Sequence, residues 1–166
     1  MKKICLVVQT DVTDTGVASY IKSVISYFNS NKKDLDLTII TTDNRWIQYY
    51  PKTEVFLNRK YINSLRDIFI LLGLKKIGRF LLTKFDPFLR FLDSNNYDLV
   101  FYPTASSLTY FSNSRDIVSV HDLMHIYERR FKESGSFLTY LYRQKIYGNI
   151  SNSFNSILVD SRTGAD

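Results

Sequence analysis

Two histidines, His121 and His125, stand four residues apart and are the only imidazoles in the chain. On a helix that spacing would put both rings on one face, where they could chelate zinc. His121, however, directly follows the branched run Ile117-Val118-Ser119-Val120 and therefore ends a strand, and Cys5, the one cysteine, is remote in sequence. No metal site is expected. His121-Asp122 on a strand-end loop fits better as a polar contact to a substrate, with a histidine that merely satisfies loop backbone as the competing reading. A second chemistry-bearing stretch is Asp14-Thr15-Gly16, set just before an apolar periodic segment that begins at Val17. Backbone N–H groups at a helix start favour an anion, so Gly16 is a candidate phosphate or acceptor contact. A glycine needed only for a turn is the alternative.

Other chemistries fit less well. The loop has one glycine, so it is not the G-x-G-x-x-G dinucleotide fingerprint, and no Gly-Lys-Ser/Thr makes it a P-loop. Asp14-Thr15-Gly16 also spells the aspartic-protease triplet, but that site belongs to an all-β fold and here a helix follows at once. Glu54, Glu128 and Glu133 are the only glutamates and show no pairing suited to acid–base work. Asn149-Ile150-Ser151 is a glycosylation sequon that stays idle without a signal peptide.

These residues need elements to hold them. Ile4 to Val8 is a short apolar run, the pattern of a strand buried on both faces. Val17, Tyr20, Ile21, Val24, Ile25 and Phe28 recur at helical spacing. Further strands are expected at Leu35 to Ile40, Val55 to Leu57, Leu99 to Tyr102, Ile117 to Val120 and Ile157 to Val159. A helical stretch covers about Ile62 to Leu82, Asp86-Pro87 caps another helix, and Leu138, Leu141, Tyr142 and Ile146 mark a third. Strands alternating with helices predict an α/β fold, a Rossmann-like, doubly wound and mostly parallel sheet. Ligands of such sheets gather beyond the carboxyl ends of the strands, which selects Gln9 to Gly16, Thr41 to Asn44, Pro103 to Ser107, His121-Asp122 and Ser161-Arg162.

Composition bounds the class. The chain has 166 residues, 45% of them apolar and 23% charged, with six glycines and three prolines, so it is neither disordered nor low-complexity. That length suits one domain with its own core. A single cysteine excludes a disulfide scaffold and favours the cytoplasm. The opening apolar run is too short for a signal peptide, and the longest, Ile68 to Leu74, is too short to span a bilayer. The net charge of +6 is not spread evenly: Arg59 to Arg90 holds eight basic and two acidic residues, leaving fourteen of each sign elsewhere. On a helical wheel Lys75, Lys76 and Arg79 lie opposite Leu74, Ile77, Phe80 and Leu81. Such a basic amphipathic helix either rests on an anionic membrane or packs onto the sheet with its charges in water. Nucleic acid is the least favoured partner.

Four stretches together resemble the N-terminal domain of a GT-B glycosyltransferase of retaining family four, the glycosyltransferase group 1 type. They are Thr15-Gly16-Val17-Ala18-Ser19-Tyr20 after the first strand, Asp98-Leu99-Val100-Phe101-Tyr102-Pro103-Thr104, Val118-Ser119-Val120-His121-Asp122-Leu123, and Ser156-Ile157-Leu158-Val159-Asp160-Ser161. The chain departs from the family pattern at Thr15 and Ala18, where glycine is common, and at Ser19, where arginine is common. The resemblance implies a Rossmann-like acceptor-side domain spanning residues 1–166, with the C-terminal nucleotide-sugar domain absent from this chain and the fragment inactive alone. It implies transfer of a sugar from a nucleotide-sugar donor to a glycan or lipid-linked acceptor in cell-surface polysaccharide biosynthesis, at the cytoplasmic membrane face and with no metal or other cofactor. His121 would position the transferred sugar, and Thr15, Gly16, Val17, Thr104, Asp122 and Ser161 would line the substrate site. The alternative expectation is a non-catalytic α/β module docking on a membrane or partner through residues 59–90.

Overall fold

A computed structural model describes residues 2–13, 15–30, 35–57, 60–112, 116–121, 137–154 and 156–159. Among these, strands β1 (Lys2–Val8), β2 (Leu35–Thr41), β3 (Thr53–Val55), β4 (Leu99–Tyr102), β5 (Asp116–Val120) and β6 (Ser156–Val159) form one parallel sheet. Their order is β3-β2-β1-β4-β5-β6. The helices are α1 (Thr15–Ser30), a short 3-10 turn (Asn44–Gln48), α2 (Lys60–Leu71), α3 (Lys75–Phe85), α4 (Pro87–Ser94), α5 (Ser107–Phe111) and α6 (Phe137–Ser153). This is the doubly wound, Rossmann-like α/β architecture that the alternation of strands and helices predicts.

Side chains of β1 alternate between two cores. Cys5 and Val7 join Val100, Tyr102, Val118 and Val120 beneath α2, α4, α5 and α6. Ile4, Leu6 and Val8 join Leu37, Ile39 and Phe101 beneath α1 and Trp46. Both faces are covered, so the strand reads as an unbroken apolar run rather than an alternating one. The order of the sheet reverses between β1 and β4, which pair directly, with Ile4 opposite Leu99 and Leu6 opposite Phe101. At their amino ends the Lys3 N–H donates to the Asp98 carboxylate at 2.8 Å, and the Asp98 N–H to the Lys3 carbonyl at 2.9 Å.

The stretch expected as one helix from Ile62 to Leu82 is two. Gly73 takes φ +70°, a conformation that costs other L-residues dearly. The Leu74 N–H reaches back to the Phe69 carbonyl at 2.9 Å and the Gly73 N–H to Ile70 at 3.0 Å, which closes α2 in a Schellman motif. After this reversal α3 returns beside α2, and Gly78 sets how closely. A Cβ placed there would lie 2.8–2.9 Å from the Phe69 and Phe111 side chains, so only the glycine side of α3 fits against α2 and α5.

That constraint decides between the two expected orientations of α3, against the one in which its apolar side packs onto the sheet with its charges in water. Lys75 and Arg79 lie together on one side of Gly78 on the helix wheel and are half-buried against neighbouring elements. Lys75 Nζ donates to Asn149 Oδ1 at 2.9 Å, and Arg79 donates to the Phe111 carbonyl and the Asp93 carboxylate. Lys76 stays exposed, as do Ile77, Phe80 and Leu81. The apolar side of the helix therefore faces outward, and two of its four cations are half-buried and bonded to neighbouring elements.

One buried carboxyl sits under this layer. Asp116 is 2% exposed and accepts from the Ser112 hydroxyl, while its Oδ1 has no hydrogen-bond partner among the described residues. Burial raises its carboxyl from 3.8 to about 6. A carboxyl raised on folding favours the folded state when protonated, so its penalty is absent below 3.8 and complete above about 6. Asp116→Asn should therefore stabilise the domain above pH 6 by about 1–3 kcal/mol, with the gain fading towards pH 4, as read from urea unfolding across that range. Gly78→Ala should cost about 1–3 kcal/mol in the same measurement, because Phe69 and Phe111 must give way.

Candidate functional site

All strands run the same way, so their carboxyl ends share one edge of the sheet. The segments leaving that edge are residues 9–13 after β1, 42–43 after β2, 56–57 after β3, 103–106 after β4 and His121 after β5.

Beneath the β1–β3 part of this edge lies a buried ion pair. Arg66 on α2 and Asp86, between α3 and α4, have side chains 3% and 0% exposed. Arg66 Nε and Nη2 both lie 2.6 Å from Asp86 Oδ2, and Nη1 donates to Asn63 Oδ1 at 3.2 Å. The other carboxylate oxygen of Asp86 accepts from the Phe88 and Leu89 N–H groups at 3.0 and 3.4 Å, which caps α4 as the Asp86-Pro87 sequence predicts. The Asp86 N–H in turn closes α3 on the Leu82 carbonyl at 2.7 Å.

Over this pair opens a pocket of about 270 Å³ with Gln9, Thr42, Asn63, Arg66 and Ser107 as its polar lining. Ile62 and Phe88 supply apolar wall. Amides, hydroxyls and one guanidinium set around apolar surface suit a polyol, whose hydroxyls need both donors and acceptors and whose ring carries a C–H face.

A wider groove of about 660 Å³ adjoins it, sharing Gln9, Thr42 and Leu57. Here Arg45 Nη2 lies 2.7 Å from Asp11 and 2.8 Å from Asp43, while its Nε donates to Asp43 at 2.8 Å. Asp43 also accepts from the Val12 N–H at 3.1 Å, and Trp46 Nε1 donates to the Thr10 carbonyl at 3.0 Å. The loops after β1 and β2 are thus tied together. The hydrogen bonds from Arg45 hold the Asp43 carboxyl down at about 2, and those from Thr13 lower that of Asp11.

On the α1 side of the edge stands His121, half-buried, with Nε2 2.6 Å from the Pro103 carbonyl. A carbonyl only accepts, so Nε2 carries the hydrogen and is already engaged. The Tyr20 ring meets the imidazole edge-on at 5.1 Å, and the Tyr20 hydroxyl lies 3.0 Å from Ser119 Oγ. Tyr20 is one turn along α1 from Gly16, so the histidine and the start of the helix are brought to the same side.

The expected site residues are therefore distributed as follows. Thr15 and Gly16 open α1. A Cβ at Gly16 would meet nothing within 4 Å, so close packing does not demand glycine there. Val17 packs on the core beneath α1. Thr104 is half-buried in the loop after β4. Asp122 and Ser161 lie outside the described residues, as does His125. Lys75, Lys76 and Arg79 belong to α3 and line neither the pocket nor the groove. Among the described residues no three His, Cys, Asp or Glu side chains converge as metal ligands.

Asn63 and Arg66 were not legible as site residues from strand-end loops, because a helix supplies them. A signal existed: Ile62, Arg66 and Ile70 fall at i, i+4 and i+8 and all three are buried, so the arginine sits within an apolar stripe. Arg45→Ala should raise the Asp43 carboxyl from about 2 towards the ordinary 3.8, as followed by carboxyl-carbon NMR titration. An unchanged titration would show that the backbone N–H groups of Val12 and residue 45, which survive the substitution, hold it down.

No family model, curated protein or solved structure matches the chain.

Proposed function

We propose that this domain is the acceptor-side part of a glycosyltransferase that moves a sugar from a nucleotide-sugar donor to a glycan or lipid-linked acceptor. The observation that carries the reading is the pocket at the carboxyl edge, where Gln9, Thr42, Asn63, Arg66 and Ser107 surround a space of about 270 Å³. Its chemistry suits the hydroxyls and C–H faces of a saccharide. Its place, beside the reversal of strand order, is where open parallel sheets take ligands. The likeness of the four sequence stretches to the glycosyltransferase group 1 pattern supports the same reading.

In this reading the domain contributes position rather than a reactive group. The Arg66–Asp86 pair holds Asn63 and the start of α4 rigid, so an acceptor would be bound in one orientation. The Pro103 carbonyl fixes the His121 ring, which would help orient the transferred sugar. The donor diphosphate would be held chiefly by a second domain, and electrostatic help to its departure would come from there.

Binding of lactose, maltose and chitobiose to the chain, observed by saturation-transfer NMR, tests this directly. At least one should bind, and Asn63→Ala and Ser107→Ala should each weaken it about fivefold, the worth of one hydrogen bond. Absence of binding to a folded protein, or binding indifferent to both variants, would overturn the assignment. Incubated with nucleotide-sugar donors and the same acceptors, the chain alone should transfer no sugar; turnover would place the whole reaction within these residues.

A further inference from the structure

The outward orientation of α3 leaves an apolar surface with nothing over it among the described residues. Leu72 is 64% exposed, Ile77 54%, Phe80 66% and Phe85 63%, and Ile68 on the adjoining face of α2 is 51% exposed. Single exposed apolar side chains are ordinary, but five of them on one helical hairpin point to an interaction surface. The close approach at Gly78 keeps Ile77 and Phe80 from turning inward.

Charge identifies what would cover it. Helix α3 carries four basic residues and no acidic one. Lys75 and Arg79 are bonded internally, whereas Lys76 and Lys84 are exposed and have no ion-pair partner among the described residues. They lie on either side of Phe80, the Lys84 ammonium 4.9 Å from the ring centroid, in a shallow groove that Lys75, Arg79 and Thr83 also line. The nearby carboxylates are occupied: Asp86 by Arg66 and Asp93 by Arg79.

A second copy of the chain would set Lys76 and Lys84 against like charges. A nucleic acid would match the cations but leave Ile77, Phe80 and Phe85 against phosphate. An anionic bilayer satisfies both features at once, because lysines at headgroup level meet lipid phosphate while apolar side chains reach the acyl boundary. No helix among the described residues is long and apolar enough to cross a membrane, so the contact is peripheral.

We propose that the outer face of the α2–α3 hairpin docks on an anionic lipid surface, with Phe80 and its apolar neighbours entering the headgroup layer and Lys76 and Lys84 meeting lipid phosphate. The orientation follows from the fold. Ile62, Asn63 and Arg66 near the start of α2 line the carboxyl-edge pocket, so the hairpin that docks also walls that pocket. The inference does not depend on the pocket taking a saccharide.

Sedimentation of the chain with phosphatidylglycerol vesicles and with phosphatidylcholine vesicles tests it. Binding should favour the anionic vesicles and fall with added salt. Lys76→Gln and Lys84→Gln should each weaken it about fivefold, and Phe80→Ser by about tenfold or more. All three positions are exposed, so each variant should keep the thermal unfolding of the parent, which separates lost docking from lost folding. Equal binding to both vesicles, or none to the anionic ones, would overturn the proposal. So would a self-association in sedimentation equilibrium that Phe80→Ser abolishes, since that result assigns the face to a second copy.

Discussion

The Arg66–Asp86 ion pair is the constraint on which one whole layer of the fold depends. Asp86 closes α3 through its N–H, caps α4 through one carboxylate oxygen and holds Arg66 of α2 through the other. Three helices therefore meet at one residue with no exposed surface. Such a pair contributes little net stability compared with an apolar replacement of the same shape, yet removing one partner strands a charge at a cost of about 3–5 kcal/mol. Its value lies in specification: a hairpin of apolar helices could slide along the sheet, whereas this one has a fixed register.

That register produces the two surfaces on which function turns. The start of α2 is pinned beside the strand ends, which places Asn63 and the guanidinium edge in the pocket. The far end of α2 must reverse at Gly73, and α3 must then approach through Gly78. With its close face chosen by a glycine, α3 has no means of burying Ile77 or Phe80. The exposed apolar face and the ordered pocket are consequences of the same packing decision, made on opposite sides of one helical hairpin.

Much of this frame was legible in the sequence, and the reasons are local. Leu99 to Tyr102 was read to the residue because Asp98 and Pro103 bracket it, and the α4 cap because Asp-Pro is a compact signal. The break at Gly73 was hidden, since Leu72, Leu74 and Ile77 continue the apolar pattern across it. The orientation of α3 was hidden for a deeper reason. A helical wheel shows which sides are apolar and basic but not which one faces the core; here steric closeness at Gly78 decides it, and Lys75 and Arg79 are bonded by Asn149, the Phe111 carbonyl and Asp93. The pocket was half legible: Gln9, Thr42 and Ser107 follow from the rule about strand ends, but Arg66 and Asp86 are twenty residues apart and only the fold joins them.

Cys5 gives the sheet a further property. It is the only thiol of the chain, fully buried at the centre of the β1–β4 pairing opposite Val100, and burial pushes its ionisation well above the usual range. A thiol held protonated and out of water is inert to alkylating and oxidising reagents. It reacts only when β1 leaves its neighbours, and because β1 divides the two cores, that event exposes both. The domain thus carries a built-in clock of its own opening: the rate at which Cys5 is modified reports how often the entire sheet comes apart, undisturbed by fraying at the loops or the helical hairpin.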